Sequence, residues 1–180
     1  MSLRIYGNRQ LKTLPGQATR PTSARVREAL FNIWQGQIRG CRWLDLCAGS
    51  GAMGAEAIAR GAATVIGIEQ SGAACRVIQQ NWQRIAQSGQ AFEVRRGDVR
   101  QQIQRLQGQM FDYIYFDPPY ASDLYQPVLQ AIAPLDLLAP AGEIAVEHRV
   151  QSGSVQAIAG LEIVRQKRYG STALTFYGLS

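Results

Sequence analysis

Trp43-Leu44-Asp45-Leu46-Cys47-Ala48-Gly49-Ser50-Gly51 decides the fold class. Its first five residues read as a buried strand, and the glycines that follow allow a tight turn into a small-residue helix over roughly 52–60. Outward from there the same alternation repeats. Strands are predicted over 64–69, 92–95, 113–116 and 143–147, with helices over 71–85, 99–106 and 124–138 between them. Ser71 is the expected cap of the second helix. Two further strands, 161–168 and 173–177, flank Tyr169-Gly170-Ser171-Thr172 and read as a closing hairpin that adds one antiparallel strand. Strand–helix alternation with continuously apolar strands predicts an α/β fold: a Rossmann-like, doubly wound, mostly parallel sheet with helices on both faces. Ligands in such sheets bind beyond the carboxyl ends of the strands. Asp45, Glu69, Asp98 and Asp117 all fall in or beside the predicted ends of the first four strands.

The chain has 180 residues, 46% hydrophobic and 18% charged, which argues for one globular unit and against disorder. No apolar run approaches the ~18 residues of a membrane-spanning helix. Three cysteines (Cys41, Cys47, Cys75) without zinc-like spacing suggest small apolar fillers in a reducing cytoplasm, with no disulfide frame and no metal. Charge is unevenly placed. Residues 1–42 carry eight basic side chains against the single acid Glu28, while the rest is nearly neutral. This divides the chain into a basic extension, 1–41, and a core, 42–180, and suggests a polyanion-binding arm. Seventeen of the nineteen basic residues are Arg, whose planar fork suits phosphate oxygens and base edges. Within the arm, Arg4–Tyr6 and Gln10–Lys12 around Gly7-Asn8 predict a short hairpin. Thr22 or Ser23 then caps a helix whose stripe Val26, Ala29, Leu30, Ile33 and Trp34 faces the core, turning Arg25 and Arg27 away from it. His148, the lone histidine, is read as structural or superficial, and Trp34, Trp43 and Trp82 as packing residues. Glu56 is expected to orient the first core helix or brace the glycine turn.

Gly49-Ser50-Gly51-Ala52-Met53-Gly54 satisfies the generic dinucleotide pattern G-x-G-x-x-G, and Glu69 follows Gly51 by eighteen residues, where a ribose-binding acid belongs. Asp45 discriminates among cofactors, since a carboxylate facing a pyrophosphate is repelled and one facing a cationic sulfonium is attracted. With Asp45 four residues ahead of Gly49, the turn resembles the D/E-x-x-x-G-x-G motif of S-adenosylmethionine-dependent methyltransferases. That resemblance implies S-adenosylmethionine as cofactor and a seven-stranded methyltransferase sheet. It implies cofactor contacts at Asp45, Ala48, Gly49, Ser50 and Gly51, with Glu69 and Gln70 at the ribose. Asp98 and Val99 would then lie near the adenine, although Asp98 equally suits a helix cap.

Asp117-Pro118-Pro119-Tyr120 is the most specific element. An exocyclic base nitrogen is a poor nucleophile because its lone pair is delocalised into the ring. Hydrogen bonds from the amino group to Asp117 and a nearby carbonyl would localise that pair, and the prolines offer carbonyls without competing N–H donors. Tyr120 can stack on a base turned out of its helix. The motif is similar to the D/N/S-P-P-Y/F signature of amino-group methyltransferases, in which Asp117 also borders the cofactor.

Arg20-Pro21-Thr22-Ser23-Ala24-Arg25-Val26-Arg27-Glu28-Ala29-Leu30-Phe31-Asn32 resembles the leading segment of the RsmD-type 16S ribosomal RNA guanine-N2 methyltransferases. Residues 45–62, 117–120 and 169–172 continue that likeness, with Cys47 and Met53 where many relatives carry Phe and Leu. It implies methyl transfer to a guanine of 16S rRNA in assembled or assembling 30S subunits; a cytoplasmic enzyme is expected, with a monomer favoured and the sequence leaving the oligomeric state open. With almost all of 42–180 consumed by the catalytic core, selectivity falls to the substrate's shape and the basic arm. Arg4, Arg9, Lys12, Arg20, Arg25 and Arg27 are the candidate RNA contacts. Other readings are a DNA adenine-N6 or cytosine-N4 methyltransferase, a nicotinamide-dependent oxidoreductase, and a non-catalytic RNA-binding factor.

Overall fold

The structure, a computed structural model, describes residues 3–13, 24–150 and 157–180. The arm opens with a two-stranded hairpin, β1 (Leu3–Ile5) against β2 (Arg9–Leu11), closed by a 3-10 turn over Tyr6–Asn8. Gly7 and Asn8 both take positive φ there (72° and 59°), so the turn residues fall at the two positions the sequence marked. Helix α1 (Ala24–Ile33) follows. Its predicted caps, Thr22 and Ser23, lie outside the described residues, as does Arg20.

The core elements are β3 (Arg42–Leu46), α2 (Ala52–Ala59), β4 (Thr64–Glu69), α3 (Gly72–Ile85), β5 (Ala91–Arg96), α4 (Val99–Gln104), β6 (Phe111–Phe116), α5 (Tyr125–Ile132), β7 (Leu138–Arg149), β8 (Leu161–Tyr169) and β9 (Thr172–Leu179). Seven strands form one sheet in the order β5-β4-β3-β6-β7-β9-β8. β3 to β7 pair in parallel, and β9 runs antiparallel to both β7 and β8. The antiparallel strand of the closing hairpin is thus second from the edge, and β8 is the outer strand. Among the described residues no helix is long and apolar enough to cross a membrane.

Alternation along the strands splits the interior into two layers. Trp43 faces α1, α2 and α3 together with Phe31, Trp34, Met53, Ile78 and Trp82. Leu44 and Leu46 face α4 and α5 with Ile103, Val128 and Ile132. All three tryptophans are buried, as expected of packing residues. Trp34 packs at 4.5 Å from the Tyr113 ring and donates its indole N–H to Glu143 (2.6 Å). Ile5 and Leu11 of the hairpin and Val26 and Leu30 of α1 join the first layer, so the arm shares the core's apolar interior.

Two expectations are corrected. The helix predicted over 124–138 stops at Ile132 because Pro134 lacks the N–H that the next turn needs, and the chain turns through Asp136 (φ 51°) into β7. Arg27 does not point away from the core. It is 3% exposed, and its guanidinium pairs with the buried Glu56 (Nε–Oε2 3.3 Å) and donates to the Arg4 carbonyl (2.6 Å). Glu56 also accepts the Tyr6 N–H (3.1 Å) and pairs with Arg60 (2.9 Å), whose guanidinium lies over the Tyr6 and Phe31 rings. Apolar periodicity could not reveal this, because a charged residue on the buried face enters only with a partner supplied from a distant helix. Glu56 therefore joins hairpin, α1 and α2. Replacing it with Ala would leave Arg27 buried without its partner and is expected to cost ~3–5 kcal/mol of stability, read by urea denaturation.

Candidate active site

Parallel pairing of Leu46 with Phe116 and of Leu46 with Ile68 brings the segments after β3, β4 and β6 out at one edge of the sheet. Cys47 (φ 64°), Gly49 (φ 57°) and Gly51 (φ 71°) bend the chain between β3 and α2. The bend is held by Ala48 N–H donating to the Ile68 carbonyl (2.8 Å) and Gly51 N–H to the Ala48 carbonyl (2.7 Å). A Cβ on Gly51 would lie 2.8 Å from Ile78 Cγ1, whereas one on Gly49 would meet only the Cys47 carbonyl, at 3.9 Å. Glycine at 51 is demanded by α3, and glycine at 49 leaves an open face on the turn.

Trp82 has a part in this loop that the sequence reading missed. Its indole N–H donates to the Gly51 carbonyl (2.9 Å), and its ring occupies a slot where a Cβ on Gly54 or Gly67 would come within 2.2 or 2.6 Å. The signal was present in the two glycines, which make room for one large ring, but only the packing of α3 shows which ring.

The four predicted acids converge on this edge and take different partners. Asp45 is 1% exposed, and its carboxylate accepts the Gly54 N–H (3.1 Å) in the first turn of α2. Burial pushes its pKa up to about 7. Glu69 accepts the Gly49 N–H (2.8 Å) with one oxygen and the Ser71 N–H (2.7 Å) with the other, tying the glycine turn to the start of α3. Gln70 beside it is exposed. Asp98 caps α4 through the Arg100 N–H (2.8 Å), and its hydrogen bonds from the Arg100 side chain hold its carboxyl below the ordinary range. Val99 behind it is buried. Asp117 follows β6 directly, half-buried, with Pro118 buried and Pro119 exposed.

Cys47 lies among these acids. Its thiol is pushed up first by burial and then by Asp45, Glu69, Asp117 and Asp98 together. The edge around the glycine turn is thus acidic. Among the described residues no group of three or more His, Cys, Asp or Glu is arranged to hold a metal ion. Tyr120 stands at the far side of the Asp-Pro-Pro-Tyr loop, its hydroxyl donating to Glu147 (3.1 Å) with Thr172 Oγ1 at 3.5 Å. Arg149 lies over its ring at 5.3 Å. His148 is buried, with Nε2 2.9 Å from Thr175 Oγ1, in keeping with a structural residue.

Among the described residues, four of the candidate RNA contacts lie at the surface. Arg4 and Lys12 are exposed on the hairpin, with Arg9 half-exposed. The hairpin is anchored on α2 and α3 away from the acidic edge: Lys12 N–H donates to Asn81 (2.9 Å), nine residues into a helix that begins there. Arg25 is exposed at the start of α1.

A strand order with one antiparallel strand inserted beside the last parallel one, and a glycine turn between acidic strand ends, defines the sheet of S-adenosylmethionine-dependent methyltransferases. The chain belongs to the family described as conserved hypothetical protein 95, whose model matches residues 3–178, the RsmD-type family. It is 31% identical over 173 residues to the Bacillus subtilis protein YlbH, covering 94% of this chain and 92% of that one. It is 31% identical to the ribosomal RNA small subunit methyltransferase D of Escherichia coli K12, covering 97% and 89%. The solved structure of Escherichia coli yhhF, 30% identical, superposes with a TM-score of 0.84 over 100% of this chain and 99% of that one.

The buried Asp45 gives a pH prediction. Unfolded, it releases its proton near 3.8; folded, it keeps it to about 7. The folded state binds the extra proton between those values, so its stabilising contribution is full below pH 3.8 and is lost as pH rises toward 7. Comparing urea denaturation of the ligand-free protein with that of Asp45→Asn between pH 4 and 8 should show this decline in the wild type and its absence in the variant.

Proposed function

We propose that the protein is a ribosomal RNA methyltransferase that uses S-adenosylmethionine to methylate the exocyclic N2 of a guanine in 16S rRNA, within assembled or assembling 30S subunits. The observation that carries this reading is the juxtaposition of a glycine turn and an Asp-Pro-Pro-Tyr loop on neighbouring strand ends at an acidic edge of the sheet. The names of relatives that match nearly the whole chain support ribosomal RNA as the substrate class. Action in the cytoplasm, as a monomer, belongs to the same proposal.

The residues present fit the cofactor. The open face at Gly49 leaves space beside a backbone turn, and carboxylates suit a sulfonium, an ammonium and ribose hydroxyls while repelling a pyrophosphate. Ala48, Gly49, Ser50 and Gly51 would hold the methionine part, Glu69 and Gln70 the ribose, and Asp98 and Val99 the adenine. Asp45, expected to face the sulfonium, is instead buried and acts from behind the turn through the Gly54 N–H. When bound, the cofactor supplies an electrophilic methyl group on sulfur. Asp117, which borders that position, accepts a hydrogen bond from the base amino group and draws its lone pair out of conjugation. Pro118 and Pro119 bring no N–H to compete for the carboxylate or the loop carbonyls. Tyr120 offers its ring to the flipped base, and alignment of the two reactants accounts for much of the acceleration. Arg4, Arg9, Lys12 and Arg25, with Arg20 beyond the described residues, would meet phosphates flanking the target.

Two substitutions separate the halves of the site. Asp117→Ala should bind the cofactor but lose at least about 10²-fold in methyl transfer. Glu69→Ala should weaken cofactor binding about tenfold or more by removing a charged hydrogen-bond acceptor. The deciding assay is labelled methyl transfer to undermethylated small subunits and to duplex DNA, with the modified base mapped. Label at N2 of one guanine in 16S rRNA supports the proposal; preference for DNA, or wild-type turnover by Asp117→Ala, would overturn it.

A further inference from the structure

Three tyrosines from three different places converge on one residue. Glu147, near the end of β7, is 4% exposed. Its carboxylate accepts hydrogen bonds from the hydroxyls of Tyr115 (2.6 Å) and Tyr120 (3.1 Å), and its carbonyl accepts one from Tyr125 (3.0 Å). Tyr115 stands two residues before Asp117, Tyr120 ends the Asp-Pro-Pro-Tyr loop, and Tyr125 opens α5. The stretch 115–125 is therefore fastened at its start, middle and end to a single residue of the neighbouring strand. Arg149, two residues beyond Glu147, lies over the Tyr120 ring, so the end of β7 governs that ring by both its edge and its face.

Burying a carboxylate is costly unless hydrogen bonds replace its water. The pairing of Glu147 with Leu174 of β9 is made by backbone groups and does not require an acid at 147. What an acid adds is acceptor capacity, since one carboxylate can take two phenol donors and fix the direction of each. We propose that Glu147 is a positioning residue for the methyl-acceptor half of the site. By holding the Tyr120 hydroxyl it sets the plane on which the target base stacks, and through Tyr115 and Tyr125 it sets where Asp117 stands relative to that plane. This rests on the function proposed above and concerns the acceptor alone, so cofactor binding is left untouched.

The test combines calorimetric titration of the cofactor with steady-state methyl transfer to undermethylated small subunits. Glu147→Gln keeps the size of the side chain but provides one acceptor oxygen in place of two. It should lower kcat about tenfold while the cofactor Kd and the KM for subunits stay within about twofold. Tyr120→Phe, which keeps the ring and removes its anchor, should do the same. The double variant should be no slower than the slower single one, because both changes break one linkage. Wild-type kcat in Glu147→Gln, cofactor binding weakened in step with kcat, or a double variant showing the product of the two losses would overturn the proposal. Should Glu147→Gln fail to fold, Tyr120→Phe decides alone, and wild-type kcat in it would refute the anchoring role. Absence of transfer by the wild type would instead overturn the substrate reading, and this proposal with it.

Discussion

The parallel pairing of β3 with β6 is the constraint on which the site depends. Leu46 lies opposite Phe116, so Cys47 and Asp117 leave the sheet side by side although seventy residues of chain separate them. Neither loop has much local reason to be where it is; each is carried there by a buried strand with apolar layers on both faces. A slip of one residue in that register would turn Asp45 toward the α4–α5 layer and Leu44 toward α2. The position of the chemistry is therefore specified by Trp43, Leu44, Leu46, Ile114 and Phe116, none of which takes part in it.

At that edge the protein accumulates like charges, and it does so by giving Asp45, Glu69 and Asp98 backbone partners. Asp45 binds the N–H of Gly54, Glu69 binds those of Gly49 and Ser71, and Asp98 binds that of Arg100. The cost of assembling four acids is offset by helix N-termini and turn donors that would otherwise lack partners. The same contacts fasten the glycine turn, with Trp82 closing it from the α3 side. Charge and rigidity thus come from one set of hydrogen bonds, which suits a site that must attract a cation and hold it in line with a second reactant.

Most of the fold was legible in the sequence because β3, β4 and β6 are short and apolar and their punctuation is unambiguous. By contrast, β7 begins at Leu138, ahead of the expected 143, and β8 is largely exposed. Ser71 before α3 and the β4 limits at Thr64 and Glu69 fall where the pattern put them. The motif residues were legible for the same reason: acids and glycines at strand ends stand out against apolar runs. What escaped was long-range and polar. Nothing local distinguishes Arg27 from a solvated arginine until Glu56 is brought to it from α2. Trp82 reads as packing until its N–H meets the Gly51 carbonyl, and the tyrosines at 115, 120 and 125 read as unrelated until Glu147 joins them. Side-chain hydrogen bonds between distant elements leave no periodicity, so only the folded chain shows them.

The central claim is spatial: donor and acceptor meet at one edge of the sheet, between the Gly49–Gly51 turn and the Asp117–Tyr120 loop. A crystal structure with S-adenosylhomocysteine bound tests it most directly. The account predicts the amino-acid end of the ligand against the glycine turn, its ribose at Glu69 and its sulfur turned toward Asp117. A ligand seated at the opposite edge of the sheet, or with its sulfur walled off from Asp117, would contradict it.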